Sequence, residues 1–163
     1  MRTHIISTGG TIEGLDYENL NHKQTTTVAI TDILSNARVT SKYTIEKILD
    51  KDSRFIDDTD RELMAEKIKS ADSDKILLTH GTITMVETSR FLGKLKINKT
   101  IVLTGAFILG TKKDSDASFN LGFALSALDF LEPGVYIAMN GTIFNWGNVR
   151  KNNQHNRFET IYD

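Results

Sequence analysis

No cysteine occurs among the 163 residues, and Pro133 is the sole proline. The first absence excludes a disulfide framework, thiol catalysis and thiolate metal sites, while leaving open whether the surroundings are reducing or oxidising. A surplus of charge is missing too: 20 Lys and Arg face 21 Asp and Glu, a formal net charge of −1. Without a basic excess there is no long-range pull on nucleic acid or anionic lipid, so neither is an expected partner. No apolar run is long enough to span a bilayer. At the amino end Met1-Arg2 leads directly into the short segment His4-Ile5-Ile6. That is too little for the apolar stretch and small-residue cleavage site of a secretory signal, and cytoplasm is the expected location.

What is present suits one domain of ordinary size, spanning residues 1–163, in which 39% hydrophobic residues suffice for a core. Five short segments rich in Ile, Val or Leu are expected to form buried strands: Thr3–Ser7, Tyr43–Leu49, Lys75–Thr79, Thr100–Thr104 and Val135–Met139. Helical spacing lies between them at Val28–Ala37, Asp60–Ala71, Met85–Leu92 and Ser118–Leu131. Asp116 is the expected N-cap of the last helix, and Pro133-Gly134 follow its end. The alternation predicts an α/β fold: a doubly wound, mainly parallel five-stranded sheet, flavodoxin-like in order 2-1-3-4-5, with helices on both faces. The tail from Gly147 to Asp163 is polar and reads as loop or partner-binding segment, while Phe144 and Trp146 read as core or subunit contact, with contact favoured.

In such a sheet ligands bind beyond the carboxyl ends of the strands, where strand order reverses, here between the first and third strands. Both of those strands run into related turns, Ser7-Thr8-Gly9-Gly10-Thr11 and Thr79-His80-Gly81-Thr82-Ile83-Thr84. A glycine after a buried strand and a threonine at a helix start are common structural devices, so neither turn alone marks a site. Together they bring two hydroxyls to one crevice. Neither Gly-x-Gly-x-x-Gly nor Gly-Lys-Thr is present, which removes both nucleotide fingerprints. The four histidines lack the spacing of a zinc pair, and no serine sits in a Gly-x-Ser-x-Gly elbow, so no metal or other cofactor is expected. His80, beside Gly81, reads as a buried residue that orients its turn.

These turns carry a resemblance. Ser7-Thr8-Gly9-Gly10-Thr11-Ile12 is similar to the first signature of the bacterial-type L-asparaginases, and Thr79-His80-Gly81-Thr82-Ile83-Thr84-Met85-Val86-Glu87-Thr88 to the second. Leu103-Thr104-Gly105-Ala106, Phe119-Asn120-Leu121 and Asn148-Val149-Arg150-Lys151-Asn152-Asn153 continue it in the same order. The resemblance spans nearly the whole chain but only the amino-terminal half of a full-length family member; the smaller carboxyl-terminal domain has no counterpart.

The resemblance implies an amidohydrolase that releases ammonia from asparagine or a similar small amide without a cofactor. It implies Thr11 as nucleophile, Tyr17 as the phenol that polarises it, and Thr82 with Lys151 as a Thr-Lys unit. A buried ammonium beside a hydroxyl lowers that hydroxyl's pKa or, once neutral, accepts its proton. The implied substrate-binding set is Gly10, Asp52, Ser53, Gly81 and Ile83. Two positions depart from the family: Arg54 stands for the usual Gln, and Ile83 for the Asp that pairs the substrate's ammonium. Asp52 is a candidate replacement for that charge, with Arg54 forking onto a carboxylate. Other readings are a silent ligand-binding module with the same fold, an amidase for glutamine or for an amide on a larger molecule such as a charged transfer RNA, and a piece of a two-domain enzyme. A homo-oligomer is expected, since the family's long members complete each crevice with a partner's second domain.

Overall fold

The computed structural model describes residues 2–14 and 28–162. Five strands, β1 (Thr3–Ser7), β2 (Tyr43–Lys47), β3 (Lys75–Thr79), β4 (Thr100–Thr104) and β5 (Gly134–Met139), form a parallel sheet in the order β2-β1-β3-β4-β5. A sixth, β6 (Thr142–Asn145), extends it antiparallel to β5. Four helices connect the strands: α1 (Ile30–Asn36), α2 (Asp58–Ser70), α3 (Met85–Lys94) and α4 (Ala117–Ala127).

Strand residues alternate faces, so β1, β3, β4 and β5 each feed two cores. Ile5, Leu77, Val102 and Ala138 pack with Ile30, Ile33 and Leu34 of α1 and with Leu121 and Ala124 of α4. Their neighbours Ile6, Ile76, Leu78, Ile101, Leu103 and Ile137 face the other way, onto Met64 and Ile68 of α2 and Met85 and Leu92 of α3. Helices on both faces follow from this two-sided burial, because a parallel sheet leaves no strand face for water.

β6 lies beyond the expected five strands, and its signal is local. Asn140-Gly141 joins β5 to β6 with φ of 49° and 82°, and a two-residue hairpin turn favours Asn-Gly because both positions need positive φ. The tail likewise folds: β7 (Arg150–Asn152) and β8 (Arg157–Glu159) pair as a second antiparallel hairpin. Asn156, just before β8, takes φ 46°, which asparagine tolerates better than most residues.

Two expectations need correction. Phe144 is buried in the core against Phe158, and Trp146 is half-buried, with its ring over Gly93, where any Cβ would collide with it. Phe144 therefore fills the interior of this chain, and Trp146 packs on α3. Asp116, at the start of α4, makes no side-chain cap. Its carboxylate instead accepts from the backbone N–H of Phe107 and Ile108 and from the side-chain amides of Asn120 and Asn140. It thereby ties the loop after β4 to the β5–β6 turn.

The helix start at α2 is capped reciprocally: Asp57 accepts from Asp60 N–H at 3.0 Å, and Asp60 accepts from Asp57 N–H at 3.1 Å. Asp57→Ala is expected to cost about 1 kcal/mol and to lower Tm by roughly 2–4 °C in a domain of this size, measured by calorimetry. An unchanged Tm would show that the cap is not stabilising.

Candidate active site

The carboxyl ends of β1 and β3 are held side by side by their ladder, in which Ser7 lies opposite Thr79. The chain then continues from each strand into a glycine turn, and the two turns touch. A Cβ on Gly10 would lie 3.2 Å from Gly81 N, and Gly10 itself has φ 101°, a region that side chains avoid. On the far side, a Cβ on Gly81 would come within 2.5 Å of Ser53 Oγ. Three segments thus meet with no room for another methyl group.

The result is a cleft of about 400 Å³ lined by Gly10, Thr11, Asp52, Ser53, Arg54, Gly81, Thr82 and Ile83, with Lys151 and Asn156 from the β7–β8 hairpin. Ala106, Phe107 and Leu109 complete the wall. Every candidate residue from the sequence except Tyr17 therefore borders one cavity; Tyr17 lies outside the described residues. Phe107, Leu109 and Asn156 were not anticipated. No periodic pattern marks a loop side chain as cleft lining, and Asn156 arrives only because the tail forms a hairpin.

Thr11 opens a short 3₁₀ turn, Thr11–Glu13, and its carbonyl accepts from Gly14 and Gly110 N–H, both at 2.9 Å. This fixes the turn from two sides. Thr82 is buried, and Lys151 Nζ donates to its Oγ1 at 3.1 Å. The lysine is carried by β7, whose approach is pinned by Arg90 of α3 donating to the Val149 carbonyl and by Val149 itself in the core. Burial pushes the Lys151 pKa down, since a charged ammonium is poorly solvated there, while the nearby Glu87 carboxylate opposes the shift. The Phe107 ring, 5.5 Å from Nζ, also favours the cation. A lysine so placed holds the Thr82 hydroxyl as an ammonium and accepts its proton as an amine.

Asp52 is 7% exposed and is engaged by its neighbour. It accepts from Arg54 N–H at 2.9 Å and from Arg54 Nε at 2.6 Å, and Arg54 Nη2 closes the ion pair. The Arg54 fork thus grips Asp52. Ile83 projects at the cleft with 47% of its surface exposed.

His80 stands behind the second turn, fully enclosed. Its Nδ1 lies 2.7 Å from the Gly81 carbonyl, which only accepts, so Nδ1 carries the proton and Nε2 faces the Thr88 hydroxyl at 2.9 Å. Burial, reinforced by the charge of Arg61, pushes its pKa down to about 4, against a donation to Gly81 that raises it. The histidine is therefore a neutral strut for the turn that carries Thr82.

A doubly wound α/β domain with two threonines and a lysine gathered at its switch point defines the class: a hydroxyl-bearing site built for small ligands. The chain belongs to the asparaginase family, since the model of the asparaginase amino-terminal domain matches residues 2–161. It is 32% identical over 160 residues to L-asparaginase 2 of Escherichia coli, an alignment covering 91% of this chain and 46% of that protein. The thermostable L-asparaginase from Thermococcus kodakarensis superposes with a TM-score of 0.83 at 30% identity, covering 100% of this chain and 52% of its own. A probable cytoplasmic L-asparaginase from Campylobacter jejuni gives 0.78 at 29% identity, with coverages of 92% and 48%. The chain thus spans about half the length of these relatives.

Protonating His80 means opposing its burial, and this gives a pH dependence of stability. Its folded pKa lies below the unfolded value of 6.5, so the unfolded state binds more protons between them. Stability is fully present above pH 6.5 and falls as pH drops towards 4, by on the order of 3 kcal/mol from this group. Denaturant midpoints measured from pH 7 to 4 should show the decline, and His80→Gln should flatten it; an equal slope in both proteins would refute the assignment.

Proposed function

We propose that this domain is an amidohydrolase releasing ammonia from the side-chain amide of L-asparagine or a similar small amide. The observation that carries the reading is the Lys151 Nζ contact to Thr82 Oγ1 within the cleft that Thr11 borders. Membership of the asparaginase family supports the same reaction.

Hydrolysis of an amide needs a nucleophile stronger than a neutral hydroxyl and a proton for the departing nitrogen. In the proposal Thr11 Oγ1 attacks the amide carbon, and Tyr17 assists by polarising that hydroxyl. The nitrogen leaves as ammonia with the hydroxyl proton, and an ester to Thr11 remains. Water then attacks the ester, with its proton passing towards the Thr82-Lys151 pair, and restores Thr11 with a free carboxylate as product. Lys151 suits this work because partial burial lowers its pKa below that of an exposed lysine, a shift that the Glu87 carboxylate opposes. Gly10, Ser53 and Gly81 shape the floor on which substrate lies, and Asp52 and Ile83 form the side facing its α-carbon. No cofactor enters this scheme.

Ammonia release by the 163-residue chain tests the roles. Thr11→Ala is expected to lower kcat by roughly 10³-fold or more, as removal of a nucleophile does. Lys151→Met should lower it by about 10²–10⁴-fold, the range for a lost proton acceptor. Circular dichroism on both variants checks that the fold survives. A Thr11→Ala protein that keeps full activity would remove the nucleophile from the scheme.

The proposal extends to a homo-oligomer acting in the cytoplasm. Its support is apolar surface away from the cleft, where Phe119 is 59% and Phe130 85% exposed and either could be covered by a second copy. The Campylobacter jejuni relative, a probable cytoplasmic L-asparaginase, agrees with the compartment. No described helix is long and apolar enough to cross a membrane. Light scattering after size exclusion should give a mass at least twice 18.3 kDa. A monomer at high micromolar concentration would end this part of the proposal.

A further inference from the structure

The charges and shape of the cleft restrict which amide enters it. Among the described lining residues, the charged side chains are Asp52, Arg54 and Lys151. The carboxylate of Asp52 is matched by the guanidinium of Arg54 through the Nε and Nη2 contacts and is further occupied by Arg54 N–H. No surplus of negative charge is left in this lining. A ligand ammonium would find the Asp52 carboxylate already engaged by Arg54 and would meet the Lys151 cation in the same lining, and charges of one sign in a partly desolvated cavity repel. Beside them stands Ile83, half-exposed, whose alkyl side chain accepts no hydrogen bond. An ammonium placed there loses water and gains nothing in return.

The same lining suits other groups well. Lys151 and the side-chain amide of Asn156 are donors that favour a carboxylate. The exposed face of Ile83 favours an alkyl or acyl substituent, which removes apolar surface from water.

We propose that the cleft takes primary amides that carry a carboxylate but no free α-ammonium, monoamides of dicarboxylic acids whose α-amino group is absent or acylated. The inference rests on the amidohydrolase reading and selects a substrate class within it. Ile83 and the Asp52–Arg54 pair are its specificity determinants.

Four probes decide it: L-asparagine, succinamate, N-acetyl-L-asparagine and propionamide, each given to the 163-residue chain with ammonia release read as kcat/KM. Succinamate or N-acetyl-L-asparagine should exceed L-asparagine by about tenfold or more, the scale of a single lost or gained contact. Whichever of the two is faster tells an absent amine from an acylated one. Propionamide, which lacks the carboxylate, should fall below the faster of them. Ile83→Asp should reverse the order, raising L-asparagine and lowering succinamate. The inference is overturned if the unaltered chain handles L-asparagine as well as the better anionic probe, or propionamide equally well. Calorimetric titration of Thr11→Ala with succinamate, N-acetyl-L-asparagine and L-asparagine separates this from the catalytic reading. If no probe releases ammonia, hydrolysis fails as a function. The titration alone then decides the selectivity, supported by tighter binding of either anionic probe than of L-asparagine and overturned by equal, reversed or absent binding.

Discussion

The contact between two glycine turns organises this protein. Parallel pairing of β1 with β3 sets their ends level, and the backbone at Gly10 then passes so close to Gly81 that a Cβ on Gly10 would sit 3.2 Å from the Gly81 nitrogen. Ser53 presses on Gly81 from the other side. This crowding is what allows hydroxyls from two distant segments of sequence, Thr11 and Thr82, to border one cavity. A larger residue at either position would separate the turns and open the crevice. The site is therefore a product of backbone proximity first and of side-chain chemistry second.

The lysine reaches that cavity by a longer route. The tail leaves the sheet after β6, returns past α3 and folds into a hairpin. Asn148 fastens its two ends by accepting from Ile161 and Tyr162 N–H and donating to the Tyr162 carbonyl. Phe158 anchors the hairpin from beneath by packing on both Phe107 and Phe144. Phe107 is held in turn by the Asp116 carboxylate, so one aromatic shelf links the loop after β4 to the strand that bears Lys151. Opposing influences meet at the ammonium: burial favours the amine, whereas Glu87 and the Phe107 ring favour the cation.

Strands with uninterrupted aliphatic runs were legible from residues alone. Thr3–Ser7, Lys75–Thr79 and Thr100–Thr104 coincide with β1, β3 and β4, because a strand buried on both faces has no other way to be composed. The short strands β6, β7 and β8 escaped, being only three or four residues long. Asn140-Gly141, flanked by Ala138-Met139 and Ile143-Phe144, was a readable hairpin signal. Asp116 misled for a different reason: an acid before a helix looks like a cap, and local sequence carries no trace of Phe107, Asn140 and their competing donors.

By itself the sequence determined the doubly wound fold, the family and, Phe107, Leu109 and Asn156 apart, the main residues that border the cleft, since each of these depends on composition and order along short stretches. Tertiary structure alone decided that Asp52 is bound by Arg54, that Ile83 faces an open cavity, and that Phe144 belongs to the interior. The physical reason is common to all three. A carboxylate, an isoleucine or a phenylalanine has the same intrinsic chemistry wherever it stands, and only the groups that other parts of the chain bring against it determine whether its charge or surface remains available to a ligand.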